Sequence, residues 1–147
     1  MLTAAYLMSA TCVFCGIVRG VEPISLVWED DLTVAFMDHR QFHPGHTLVI
    51  PRQHISDVRE LDDRLGAALM ASVARIARAV AAAFPNQGLS LWHSIGEAAD
   101  QEVPHLHIHV HPRLIDDQLL RIYPCEATVP PKSVRDEYAA TLRSYLR

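Results

Sequence analysis

The sequence predicts an α+β domain made of five strand-like segments and one long helix, and three observations carry that reading. Residues 104–112, Pro-His-Leu-His-Ile-His-Val-His-Pro, alternate four histidines with three aliphatic residues. On a strand this alternation puts every imidazole on one face and Leu106, Ile108 and Val110 on the other, with neighbouring rings roughly 6.5–7 Å apart; on a helix it would scatter them. Residues 61–84 carry the one long helical pattern. Four further short apolar segments, each bounded by turn residues, read as strands.

The whole chain sets bounds. Its 147 residues suit a single domain with a real core. A net charge of −4 argues against a nucleic-acid surface. The N-terminus has no basic residue before its apolar part, as a signal peptide would need. No stretch reads as the 18 or more apolar residues of a membrane span. Three cysteines, two of them spaced C-x-x-C, point to a reducing, cytoplasmic setting and to metal or redox use. Residues 1–10 read as a loose, flexible leader, with Met8 as an alternative start.

In chain order, Cys12-Val13-Phe14-Cys15 comes first. Two thiolates supply half of a tetrahedral zinc site; a redox pair or two inert buried thiols are the rival readings. Residues 24–28 and 32–37 form a hairpin around Glu29-Asp30-Asp31. Asp38 follows, where a carboxylate commonly accepts backbone N–H groups of the next turn. His39 to Gly45 is loop, and residues 46–51 are a short apolar strand. In the helix, Leu65, Leu69, Val73, Ile76, Val80 and Phe84 form one stripe, Asp62 and Asp63 suit the dipole of its first turn, and Arg64, Arg75 and Arg78 read as solvated. Pro85 to Gly88 ends it. Residues 89–94 are a further strand, and the loop with Gly96 leads into the histidine strand. A last helix spans 133–146, with Ser133 as N-cap, Asp136 three residues on, and Val134, Tyr138, Leu142 and Tyr145 as its packed side.

Imidazole can be a nucleophile, a proton carrier, a phosphate-binding cation or a metal ligand. A lone buried histidine is most often just hydrogen-bonded core, but four in strict alternation favour phosphate chemistry or metal binding. No carboxylate cluster suits Mg²⁺, so the sequence requires no catalytic metal.

The blocks Phe36-Met37-Asp38, Gly45-His46-Thr47-Leu48-Val49-Ile50-Pro51, His54 and Gln101-Glu102-Val103-Pro104-His105, ending in His105-x-His107-x-His109, resemble the histidine triad (HIT) family in residues and in order. The resemblance covers residues 12–113. It implies a HIT domain over 11–115, with 116–147 as an extension packing on the same domain. It implies an antiparallel five-stranded sheet under the long helix, and a homodimer in which two sheets join. The activity it implies is cleavage of nucleoside phosphoramidates, dinucleoside polyphosphates or related esters at the α-phosphorus of a purine (AMP- or GMP-type) nucleotide. His107 would be the nucleophile, His109 would contact the phosphate and assist the leaving group, and His46 would be the fourth histidine. Phe14, Ile17 and Phe36 would flank the base and Asp38 would hold the ribose. His39, Ser94 and Gln101 complete the substrate-binding set, Gln101 near the phosphate bridge. In bacterial members a structural zinc ion joins positions matching Cys12, Cys15, His54 and His105.

Two positions depart from the family pattern: Ser94 stands where asparagine is usual, and Asp100 where glycine is usual. They motivate a second reading, a non-catalytic nucleotide-binding module. A third makes the histidine row of His107, His109 and His111 a metal-handling site. His111 lies outside the triad pattern, and a role at the surface end of the strand is expected for it.

Overall fold

The five segments read as strands form one sheet in the computed structural model, which describes residues 11–146. The leader expected over 1–10 lies outside the described residues. The chain divides into two compact units, residues up to 117 and residues from 118 on.

In the first unit the strands are β1 (Leu26–Glu29), β2 (Thr33–Met37), β3 (Thr47–Pro51), β4 (Gly88–Trp92) and β5 (Ile108–Arg113). They lie in the order β1-β2-β3-β5-β4, and every neighbouring pair is antiparallel. Two helices belong to this unit, α1 (Val13–Val18) and α2 (Asp63–Ala83).

Both faces of the sheet are covered. Leu65, Leu69, Val73, Ile76 and Val80 of α2 pack with Ala35, Val49, Leu106 and Val110. The opposite face packs Val34, Phe36, Leu48 and Ile50 with Cys12, Phe14 and Cys15 of the α1 segment. Period-two alternation therefore divides β2 and β3 between two cores. The aliphatic residues of the histidine stretch go to the α2 side.

The C-x-x-C segment opens α1. The histidine strand begins only at Ile108, so His105 and His107 precede it and Pro112 lies inside it; the chain bends at His105 because that ring is drawn into the Cys12/Cys15 cluster. α2 is, by length and composition, apolar enough to cross a membrane, because alanines fill much of the surface outside its stripe. Its stripe is nonetheless spent on the sheet, as in the core helix of a folded domain. Its N-cap is Asp62, whose carboxylate accepts the Leu65 N–H at 2.7 Å.

The second unit holds α3 (Lys132–Arg143). Its N-cap is Pro131 rather than Ser133, because the preset φ of proline starts the turn without a side-chain cap. Tyr138, Leu142 and Tyr145 are exposed, so the expected packed side is not formed within one chain.

Candidate functional site

The first turn of α1 brings the two cysteine sulfurs to one side, and Cys12 Sγ caps the helix by accepting the Cys15 N–H at 3.5 Å. Cys15 Sγ lies 3.2 Å from His54 Nδ1 and 3.7 Å from His105 Nδ1, and Cys12 Sγ lies 3.6 Å from His105 Nδ1. The four donor atoms all fall within 4.8 Å of one another, so the group could hold a metal ion. The Nε2–H of His105 donates to the Pro51 carbonyl at 2.8 Å, which turns the bare Nδ1 toward the sulfurs. Burial pushes His105 down to about 4, so the ring is neutral at pH 7.

Two residues on, the pattern inverts. His107 Nδ1–H donates to the His105 carbonyl at 2.7 Å and leaves Nε2 with its lone pair. Burial lowers the proton affinity of this ring too. Phe14 meets it edge-on at 5.2 Å, His109 stands at 5.0 Å and His93 at 6.4 Å. His107 keeps 6% exposure.

The loop after β2 delivers His46. Gly45 sits at φ 116°, and a Cβ there would lie 2.8 Å from the Phe84 ring, so only glycine passes. Gln41 braces the loop, accepting from the Gly45 and His46 N–H groups and donating to the Asp38 and His46 carbonyls. His46 Nδ1–H then donates to the Arg40 carbonyl at 3.2 Å, and its Nε2 accepts the His109 Nδ1–H at 2.8 Å. Asp38 Oδ2 stands 3.7 Å from His46 Nε2, while its Oδ1 accepts the Arg40 N–H at 2.8 Å, the turn-closing bond expected of a carboxylate there. Burial, reinforced by His107 and His46, pushes His109 down to about 3. Burial also lowers His46, against the pull of Asp38.

The remaining candidates are more dispersed. Phe14 and Phe36 meet edge to face at 5.6 Å, with Ile17 packed on their cluster. The His39 side chain is 85% exposed, 3.5 Å from Asp38 Oδ1. Ser94 is half-buried just past β4. The Gln101 amide is committed to backbone: it accepts from the Gly96 N–H and donates to the Ser56 and Val103 carbonyls. A cleft of about 700 Å³ is lined by Gly96, Glu97, Asp100, Gln101, Glu102 and Pro104. Asp100 holds a left-handed conformation, φ 60°, ψ 36°.

His111 departs from its expected surface role. It is fully buried, because β5 continues past it and the loop carrying His43 and His46 covers it. Its Nδ1–H donates to the Pro112 carbonyl at 2.7 Å, and its buried Nε2 meets no partner. It is not drawn into a donor cluster with His107 and His109; His109 instead shares a second group of possible metal donors with Asp38 and His46.

Sequence reasoning missed Arg40, whose carbonyl sets the His46 tautomer, and Trp92, which stacks on His109. Trp92 faces His109 through the β4–β5 register, and no local sequence signal specifies that register.

The HIT domain family model matches residues 19–114. The chain is 43% identical over 102 residues to "Protein hit" of Bacillus subtilis, covering 69% of this chain and 70% of that one. It is 32% identical over 103 residues to the adenosine 5′-monophosphoramidase hnt1 of Schizosaccharomyces pombe, covering 70% and 74%. The crystal structure of a HIT family member from Bacillus subtilis superposes with a TM-score of 0.85 at 34% identity, covering 93% of this chain and 98% of the other.

Proposed function

The chain belongs to the HIT domain family, and from that premise we propose that it hydrolyses purine nucleoside phosphoramidates or dinucleoside polyphosphates at the α-phosphorus through a nucleotidyl-His107 intermediate. Family-level nucleotide hydrolase activity is supported by the relative that bears an AMP phosphoramidase name. The observation that carries the finer reading is the 2.7 Å bond from His107 Nδ1–H to the His105 carbonyl. It makes Nε2 a neutral nucleophile at pH 7 with no proton to lose first. The covalent step splits one displacement into two, and His109 is the proton donor to the leaving group. Phe14, Ile17 and Phe36 supply an apolar wall for the base, and Asp38 is assigned to the ribose.

The test is direct. Incubation with adenosine 5′-phosphoramidate should release AMP, and His107→Asn should abolish release. Normal turnover by that variant would refute the nucleophile. Diadenosine tetraphosphate and AMP-sulfate run alongside would sort leaving groups.

The Cys12, Cys15, His54 and His105 donors fit zinc. A tetrahedral ion with bonds of about 2.3 Å to sulfur and about 2.0 Å to nitrogen separates the two by about 3.5 Å, and the observed separations run from 3.2 to 3.7 Å. Zinc there would tie α1 to the segments after β3 and before β5, a structural role. We also infer a homodimer. Strands β1 and β4 are the sheet edges, where a second sheet would join.

A second reading, nucleotide binding without turnover, is favoured by the committed Gln101 amide and by the small exposure of His107. Micromolar AMP affinity with no AMP release from any of these substrates would establish it.

A further inference from the structure

Trp92 is half-buried on edge strand β4 and lies outside both aliphatic cores. Its ring stacks on His109 with centroids 4.3 Å apart and planes 6° from parallel. It also reaches His46 at 5.5 Å and His111 at 6.0 Å. The hydrogen bonds around His109 give this stack a consequence. His46 Nδ1 faces a carbonyl and must carry a proton, so His46 Nε2 accepts and His109 Nδ1 donates. His109 Nδ1–H is therefore already spent. Any proton that His109 delivers must come from Nε2 of a doubly protonated, cationic ring.

The surroundings of that ring oppose the cation. Burial is the largest influence, followed by His107, His46, Arg40 and His111, all neutral or cationic groups. The nearby carboxylate, Asp38, stands 3.7 Å from His46 Nε2 and raises the proton affinity of that ring rather than of His109. The indole face, rich in π density, is the group in direct contact that favours a cation.

Resting on the hydrolase reading above, we propose that Trp92 is a positioning residue for His109, holding the ring coplanar and stabilising its imidazolium for proton delivery. In the step concerned, the His107 Nε2 lone pair bonds to phosphorus and the bond from phosphorus to the leaving nitrogen breaks. Its electron pair stays on that nitrogen, which takes the Nε2 proton of His109 and departs as a neutral amine. His109 is left neutral, its Nδ1–H still hydrogen-bonded to His46.

The experiment compares wild type, Trp92→Phe and Trp92→Leu on two substrates. An alkyl phosphoramidate of AMP has an amine leaving group that needs the proton; the 4-nitrophenyl ester of AMP has a leaving group stable as the anion. Trp92→Leu should lower kcat on the phosphoramidate about 10-fold and on the ester by less than about 2-fold, with Trp92→Phe within about 3-fold of wild type on both. The alkaline limb of kcat against pH on the phosphoramidate should move to lower pH in Trp92→Leu and stay in place in Trp92→Phe. Equal losses on both substrates, no loss on the phosphoramidate, or a phenylalanine variant as poor as the leucine one would overturn the proposal while leaving the hydrolase reading standing. Failure of the wild type to release AMP from either substrate would overturn both.

Discussion

His105 and His107 are two residues apart, on the same approach to β5, and both are buried and neutral at pH 7. They present opposite nitrogens. His105 donates from Nε2 to the Pro51 carbonyl and turns a bare Nδ1 to the cysteine sulfurs. His107 donates from Nδ1 to the carbonyl of His105 itself and keeps Nε2 bare. The residue type and the burial are shared, and one hydrogen bond separates the proposed metal ligand from the proposed nucleophile. The His105 carbonyl sets the tautomer of His107, so the two regions are joined at His105.

Variants can break this contrast at either end. The largest effect is expected from His107→Ala, which should lower AMP release from adenosine phosphoramidate by at least about 10³-fold while zinc content, read by metal analysis, stays near one per chain. Cys12→Ala should do the reverse: zinc is lost, the melting temperature falls by about 10 °C or more, and residual turnover survives at temperatures where the chain stays folded. Equal damage to both readouts in both variants would show that the two regions are one functional unit.

A pH titration sharpens the comparison further. The folded-state values of His105 (about 4) and His109 (about 3) lie below the ordinary 6.5. The unfolded chain therefore binds protons first as pH falls. Their contribution to stability is full above pH 6.5, declines below it, and is gone once the folded rings protonate near pH 4 and pH 3. For His105 in the zinc-free protein the loss between pH 6.5 and 4 is about 3 kcal/mol, readable as a falling urea midpoint. Zinc should flatten that decline at its upper end, because a coordinated Nδ1 resists protonation. The smallest effect is expected at His111, the third ring of the row, which is spent on neither a metal cluster nor the His46–His109 pair. His111→Val removes a buried nitrogen without a partner but also the Nδ1–H bond to the Pro112 carbonyl; the two offset, so the unfolding free energy should change by no more than about 1 kcal/mol, with AMP release within about 2-fold of wild type.

Much of the architecture was legible because it follows from local periodicity. The stripe from Leu65 to Val80 and the alternation around Val110 report which face meets the core, and the structure packs them together. Boundaries were less legible. The helix at Val13–Val18 is too short to show a period, and the break at His105 arises from cysteines some 90 residues away. Ser133 matched a capping pattern, but the structure caps that helix at Pro131. Within the candidate site the residue types and their common face were readable, and the grouping of Cys12 and Cys15 with His54 and His105 came through family resemblance. The Trp92–His109 stack and the burial of His111 were not readable, since both depend on how β4 and the His43 loop register against β5.

The sequence alone determined that imidazoles would line one side of an extended segment with aliphatics on the other, because that is a property of spacing along one chain. Tertiary structure decided which nitrogen of His105 and of His109 is bare, because their partners, Pro51 and His46, are distant in sequence. For His105 that choice rests on the Pro51 carbonyl, 2.8 Å away, which reaches the ring only after β3 has paired with β5.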